Sequence, residues 1–127
     1  MKKLLILLFS ILISFNSYGE WILVSGDHIA DGYIETDTIK ETNGYVYFWL
    51  LQNRHTPDEE ELMSIKLYGQ GDCGIDRIKF LAAYGYKVPM AKGEIEKEEI
   101  VDFPKWTFQA PDSIGGILLN YVCDYVK

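Results

Sequence analysis

Hydrophobic and polar positions divide the chain into an apolar N-terminal run, a long stretch of period-two alternation, and one C-terminal stretch of helical period. The opening run, Leu4 to Phe15, is broken only by Ser10 and Ser14, follows Lys2 and Lys3, and ends in Asn16-Ser17-Tyr18-Gly19. Small residues at 17 and 19 suit a signal peptidase, so residues 1–19 are expected to be a secretory signal peptide that leaves Glu20 as the new N-terminus. Twelve mostly apolar residues fall short of the roughly 20 that span a bilayer core, so stable membrane insertion after cleavage is not expected. No cysteine stands near the cut to carry a lipid.

The rest, residues 20–127, is expected to form a single domain. Glu20 to Ser25 predicts a strand, and the polar stretch with Gly26, Asp27, Asp31 and Gly32 predicts a loop. Tyr33 to Glu35 and Thr38 to Thr42 predict two short strands, the second leading into Asn43-Gly44, a pair suited to the positive φ of a two-residue hairpin turn. Tyr45 to Gln52 is rich in β-branched and aromatic residues, as a central strand is. Arg54 to Glu61, with Pro57 and four consecutive acids, predicts a solvated loop. Met63 to Tyr68 alternates, and its period carries Cys73 to the Ile65 side if the glycines do not bulge. Asp76 to Lys87 fits a strand by Ile78, Phe80, Ala82 and Tyr84 and a short helix by Ile75, Ile78 and Leu81; strand is the expectation. Glu94 to Phe103 reads as a charged edge strand. Last, Ile114 to Val126 predicts a helix capped by Asp112 or Ser113. It offers two stripes, one through Ile117 and Tyr121, the other through Leu118, Leu119, Val122 and Cys123.

Composition narrows the function. The chain has 127 residues, with 19 acidic and 12 basic ones for a net charge of −7. Loss of residues 1–19 removes Lys2 and Lys3 and leaves ten basic residues and a net charge of −9. That sign argues against nucleic acid and anionic membrane as partners. Cys73 and Cys123 are the two cysteines, and export places them where disulfides persist, so a bridge is expected. If it forms, the cysteine-bearing stripe of the helix must face the sheet, opposite Ile65, Leu67, Val46, Phe48 and Leu50.

Chemical motifs are sparse. Gly69-Gln70-Gly71-Asp72-Cys73-Gly74 has the spacing of a dinucleotide-binding loop, but a mainly strand pattern supplies no crossover helix, so a Gly-rich turn between antiparallel strands is expected. His28, His55, Cys73 and Cys123 lack the short local pairs of zinc sites, and no metal or other cofactor is expected. Nucleophile elbow, paired-His and calcium-loop motifs are absent from the sequence. The carboxylates of Asp58 to Glu61 have no apolar setting to raise a pKa, and an enzyme is not expected.

Several segments together resemble the surface-adhesin E family of exported Gram-negative bacterial proteins: Glu20-Trp21, Tyr33-Ile34 before Asp37-Thr38-Ile39, Val46 to Trp49, Asp72-Cys73, Trp106, and Pro111 to Cys123. The resemblance implies an α+β fold, a bent antiparallel sheet of about six strands with one C-terminal helix packed on one face and tethered by the disulfide. It implies a non-enzymatic binding module in the periplasm, at the cell surface or secreted, engaging a protein partner such as a host matrix or serum protein, and a possible homodimer. The alternative is a periplasmic small-ligand or haem-binding protein. The family's lipid-bearing cysteine has no counterpart here, and the loops are acidic.

Both parities of Tyr45 to Leu51 are apolar or aromatic, yet one helix covers one face of a sheet. Tyr45, Tyr47 and Trp49 are therefore expected on the other face, either as a ladder that stabilises neighbouring strands or as a binding interface.

Overall fold

The computed structural model describes residues 20–127; the expected signal peptide, 1–19, lies outside the described residues. One antiparallel sheet runs in the order β1 (Trp21–Gly26), β2 (Ala30–Glu35), β4 (Tyr45–Arg54), β5 (Ser64–Asp72), β6 (Arg77–Tyr86), β7 (Lys97–Ile100). Two short strands join it, β3 (Lys40–Thr42) on β4 and β8 (Thr107–Phe108) on β6. Among the described residues the one α-helix is α1 (Ile114–Tyr125), which follows the strands. Among the described residues no helix is long and apolar enough to cross a membrane.

Local chemistry sets several elements. Asn43 (φ 53°) and Gly44 (φ 84°) both adopt the left-handed region and turn β3 into β4, as an Asn-Gly pair does at no steric cost to the glycine. Ser113 caps α1 by accepting the Gly116 N–H at 3.1 Å, satisfying a donor the first helical turn cannot pair. Asp76 to Lys87 is a strand, not a helix, because β6 is paired along its length with β5. The expected edge strand narrows to four exposed residues, Lys97–Ile100.

Cross-strand partners share a face, so register assigns every strand residue a side. Val46, Phe48 and Leu50 lie on the helix face with Ile34, Gly69, Leu67 and Ile78. Leu118, Leu119 and Val122 of α1 complete this core, each almost fully buried, and burial of such a side chain stabilises the fold by about 1.5–3 kcal/mol. The cysteine-bearing stripe thus faces inward. Ile117 is exposed and Tyr121 sits at the margin beside Tyr125. β5 carries no bulge against β4; the irregularity lies opposite Tyr68 and Gly69, where Leu81 is the extra residue of β6. The period therefore does bring Cys73 to the helix face, and it is bonded to Cys123 with Cα atoms 5.9 Å apart.

Three expectations change. Gly69 and Gly71 belong to β5 and not to a turn, which is confined to residues 73–76. A Cβ at Gly71 would lie 2.7 Å from Leu119 Cδ1, and one at Gly69 would lie 2.9 Å from the Phe48 ring. The glycines are thus where the core presses on the β5 backbone, and the nucleotide-loop spacing is incidental to that packing. Asp31 and Gly32 likewise belong to β2, since Gly32 lies directly under Leu118 and Ile114. Ile65 is on the helix face but beyond the reach of α1, against Leu62, Ala83 and Gly85 in a cleft of about 180 Å³. A 12-residue helix is only about 18 Å long and leaves that end of the sheet uncovered.

The face away from the helix is also closed at one end. Asn53 and Ser64, paired across β4 and β5, anchor the turn Pro89–Ala91 over it. Asn53 Oδ1 accepts the Met90 N–H at 2.9 Å, Ser64 Oγ accepts the Ala91 N–H at 2.9 Å, and the Ser64 hydroxyl donates to the Val88 carbonyl at 2.7 Å. These bonds hold Met90 and Ala91 at φ 64° and 54°, a region non-glycine residues rarely enter. Leu51 and Tyr86, which share this face with Ser64, are buried.

Candidate functional site

Beyond that turn, the face away from the helix is open and aromatic. Register places Tyr45, Tyr47 and Trp49 on it, as expected, together with Tyr68 from β5 and Tyr84 from β6. Tyr47 and Tyr68 have ring centroids 6.2 Å apart, Tyr68 and Trp49 4.8 Å, and Trp49 and Tyr84 5.9 Å, so four rings form one tier across three strands. Trp106, on the segment before β8, folds over the end of this tier with its ring 5.5 Å from that of Tyr45. All six rings are only partly buried.

Backbone bonds fix the tier. β2 pairs with residues 50–54 of β4 and β3 with residues 45–47, which leaves a gap at Trp49. Thr38, in the 3-10 turn Thr36–Thr38, fills it: its hydroxyl donates to the Glu35 carbonyl at 2.6 Å and accepts the Trp49 N–H at 3.3 Å. A donor at the centre of the sheet is thereby satisfied without another strand.

Basic side chains interleave with the rings. Lys66 Nζ lies 4.8 Å from the Trp49 ring centroid, while the Arg77 guanidinium and Lys79 Nζ lie 4.3 and 4.5 Å from that of Trp106. Arg77 Nε also donates to Asp72 Oδ2 at 3.0 Å. Lys40 stands across β3 from Tyr47, on the same face. The sequence reading identified three of the rings and missed Tyr68, Tyr84, Trp106 and the lysines. Extending period two finds Lys66 and Tyr68 in β5 and Tyr84 in β6, whereas the extra residue Leu81 shifts the parity of β6 and hides Lys79, and nothing local to Trp106 reveals where it folds.

Among the described residues, both cysteines and the buried Ser64 hydroxyl are committed to structure. Both cysteine sulfurs are bonded to each other, which withdraws them from the four-residue metal set weighed in the sequence. The buried Ser64 hydroxyl is occupied by Val88 and Ala91. Two clefts on the helix face, of about 180 and 210 Å³, lie below the ~300–1,000 Å³ of small-molecule sites. A wider depression of about 470 Å³ is walled by Arg54, Asp58, Glu59 and Glu60, without the apolar lining such sites use.

His28 and His55 meet at a loop clasp. His55 Nδ1 donates to the His28 carbonyl at 3.1 Å, and its Nε2 lies 3.3 Å from Asp31 Oδ1. Only the protonated imidazole donates from both nitrogens, so the His28 carbonyl, and then Asp31, raise the His55 pKa. A raised folded-state pKa means the clasp contributes fully below the unfolded value of roughly 6.5 and is lost as pH rises through the folded value. In an NMR titration the His55 midpoint should exceed that of an unstructured peptide, and Asp31→Asn should lower it partway, since the His28 carbonyl remains. A midpoint at the peptide value would show that the clasp is not populated in solution. Asp27 closes the same loop in the opposite sense. Its carboxylate accepts the Ala30 and Ile29 N–H groups, which lower its pKa, so its contribution is present at neutral pH and lost on acidification.

Comparison with known proteins agrees with this architecture. The sequence model of the family described as Surface-adhesin protein E matches residues 21–124. No curated protein sequence matches the chain. Crystal form II of Haemophilus influenzae protein E is similar in structure, with a TM-score of 0.60 at 18% identity over 84% of this chain and 90% of that one. Its selenomethionine form gives 0.58 at 16% identity, over 82% and 85%. At these identities the likeness shows the fold: an antiparallel sheet, one C-terminal helix and a disulfide between them. With the family model covering nearly all of the described residues, the chain belongs to the Surface-adhesin protein E family.

Proposed function

We propose that this protein is an exported, non-enzymatic binding module that engages a protein partner at the cell surface through the open face of its sheet. The family name supports the surface and adhesive part of the reading. One observation carries the site: the tier of Tyr47, Tyr68, Trp49 and Tyr84 lies on the face that α1 leaves free. Tyr and Trp concentrate binding energy because they bury a large rigid surface at little entropic cost. Internal stacking alone would also stabilise the strands, at about 0.2–1 kcal/mol per pair.

Trp49→Ser separates the two roles. As an interface residue, Trp49 is required for self-association in light scattering or for retention on immobilised matrix and serum proteins, and its loss should abolish that binding while the circular dichroism of the sheet persists. Unchanged assembly and unchanged retention in Trp49→Ser would leave the tier a purely structural ladder.

A further inference from the structure

We propose that the partner presents an acidic protein segment to the open face, its carboxylates meeting Lys40, Lys66 and Lys79 over the floor of Tyr47, Trp49 and Tyr68. This inference rests on the reading of that face as the binding surface. Its basis is an imbalance of pairing. The mature chain carries 19 carboxylate side chains and ten basic ones, so a lysine without a carboxylate is the less expected outcome. Lys87, Lys97 and Lys127 each have one, in Glu96, Glu60 and Asp124. Among the described residues Lys40, Lys66, Lys79, Lys92 and Lys105 have none within ion-pair distance, and the first three of these share the open face of the sheet.

Two of these cations are already held in place. Lys66 lies over Trp49 and Lys79 over Trp106, which limits the freedom each ammonium group would lose on meeting an anion. The acids are gathered elsewhere: Asp58 to Glu61 form one loop, and Glu94, Glu96 and Glu99 lie on or before the β7 edge. Of those that reach the open face by register, Asp72 on β5 is engaged by Arg77, and Asp31, Glu35 and Glu98 stand on β2 and β7, which flank the tier. At physiological salt charges are screened over about 8 Å, so the lysines act locally despite the negative total. A segment of carboxylates with interspersed apolar side chains matches both parts of the surface. A sugar chain would instead need free ring faces, and Lys66 already covers a face of Trp49.

The test uses the mature protein and two synthetic peptides, one rich in Asp and Glu with interspersed Tyr, the other its Asn and Gln counterpart. The acidic peptide should shift the indole N–H signals of Trp49 and Trp106 and the neutral one should not. Raising salt from about 50 to about 500 mM cuts the screening length to roughly a third and should weaken binding several-fold. The triple variant Lys40→Gln, Lys66→Gln, Lys79→Gln should lose about tenfold in affinity. Lys87→Gln, Lys92→Gln, Lys127→Gln changes net charge equally and should lose little. Equal binding of both peptides, retained affinity in the open-face triple variant, or binding of a sulfated glycosaminoglycan but not the acidic peptide would overturn the inference. If the triple variant still self-associates or binds in a Trp49-dependent way, the face remains an interface and only its acidic partner is wrong. If Asp58 to Glu61 of a second copy supplies the segment, the open-face triple variant turns a dimer into a monomer, which supports the inference.

Discussion

Replacing Cys73 and Cys123 together by serine should lower the melting temperature of the domain formed by residues 20–127 by roughly 15–30 °C. The bridge joins positions 50 apart in sequence, and closing such a loop restricts the unfolded chain by about 4 kcal/mol in the entropy model. In a domain of this size each kcal/mol corresponds to about 4–8 °C. The consequence is also local. Cys73 directly follows β5, whereas Cys123 lies in the last turns of α1. Without the bond the helix is held by Leu118, Leu119, Val122 and the close seat of Gly116 on the Ala110–Pro111 backbone. Amide exchange in α1 should therefore accelerate more than in β4 and β5, because opening the helix no longer requires opening the sheet. A fall in melting temperature below about 5 °C would mean that the bridge restricts little in the unfolded chain and that the α1 core suffices.

What was legible in the sequence follows from how local each signal is. The Asn43-Gly44 turn, the Ser113 cap and the alternation of β4 depend on neighbours within a few residues, and each is where the pattern puts it. The inward stripe of α1 needed one long-range fact, the pairing of two cysteines, and compartment chemistry supplied that. By contrast, Gly32, Gly69 and Gly71 look like loop residues until Leu118, Phe48 and Leu119 are placed above them. Residues 89–91 carry no sign that Asn53 and Ser64, far away in sequence, hold them over the sheet. The candidate site shows the same limit. Three of its rings sit on one strand and were found together, while Lys40, Lys66, Lys79 and Trp106 arrive from four separate segments. Net charge, a sum over the chain, conceals how the signs are distributed between the open face and the acidic loops.

Truncating Phe48 to alanine should be the costliest single change in the core, at about 3–5 kcal/mol. Phe48 is the largest fully buried side chain, with no exposed surface. Its ring lies against Gly69, its direct partner across β4 and β5, where an added Cβ would come 2.9 Å from Cζ and 3.1 Å from Cε2. Gly69→Ala alone should therefore also destabilise, by about 1–3 kcal/mol, since the ring has no room to retreat among buried Val46, Leu119 and Val122. The two changes should not add. With the ring gone, the new methyl group enters the cavity that Phe48→Ala leaves, and alanine restricts the unfolded chain more than glycine does. Urea unfolding of the native protein, both single variants and the double variant gives the cycle directly. The double variant should be more stable than the sum of the singles predicts by about 1–2 kcal/mol. Additivity to within about 0.5 kcal/mol would mean that the ring and the β5 backbone do not press on one another. The glycines of β5 would then need another reason than the seat they provide for Phe48 and Leu119.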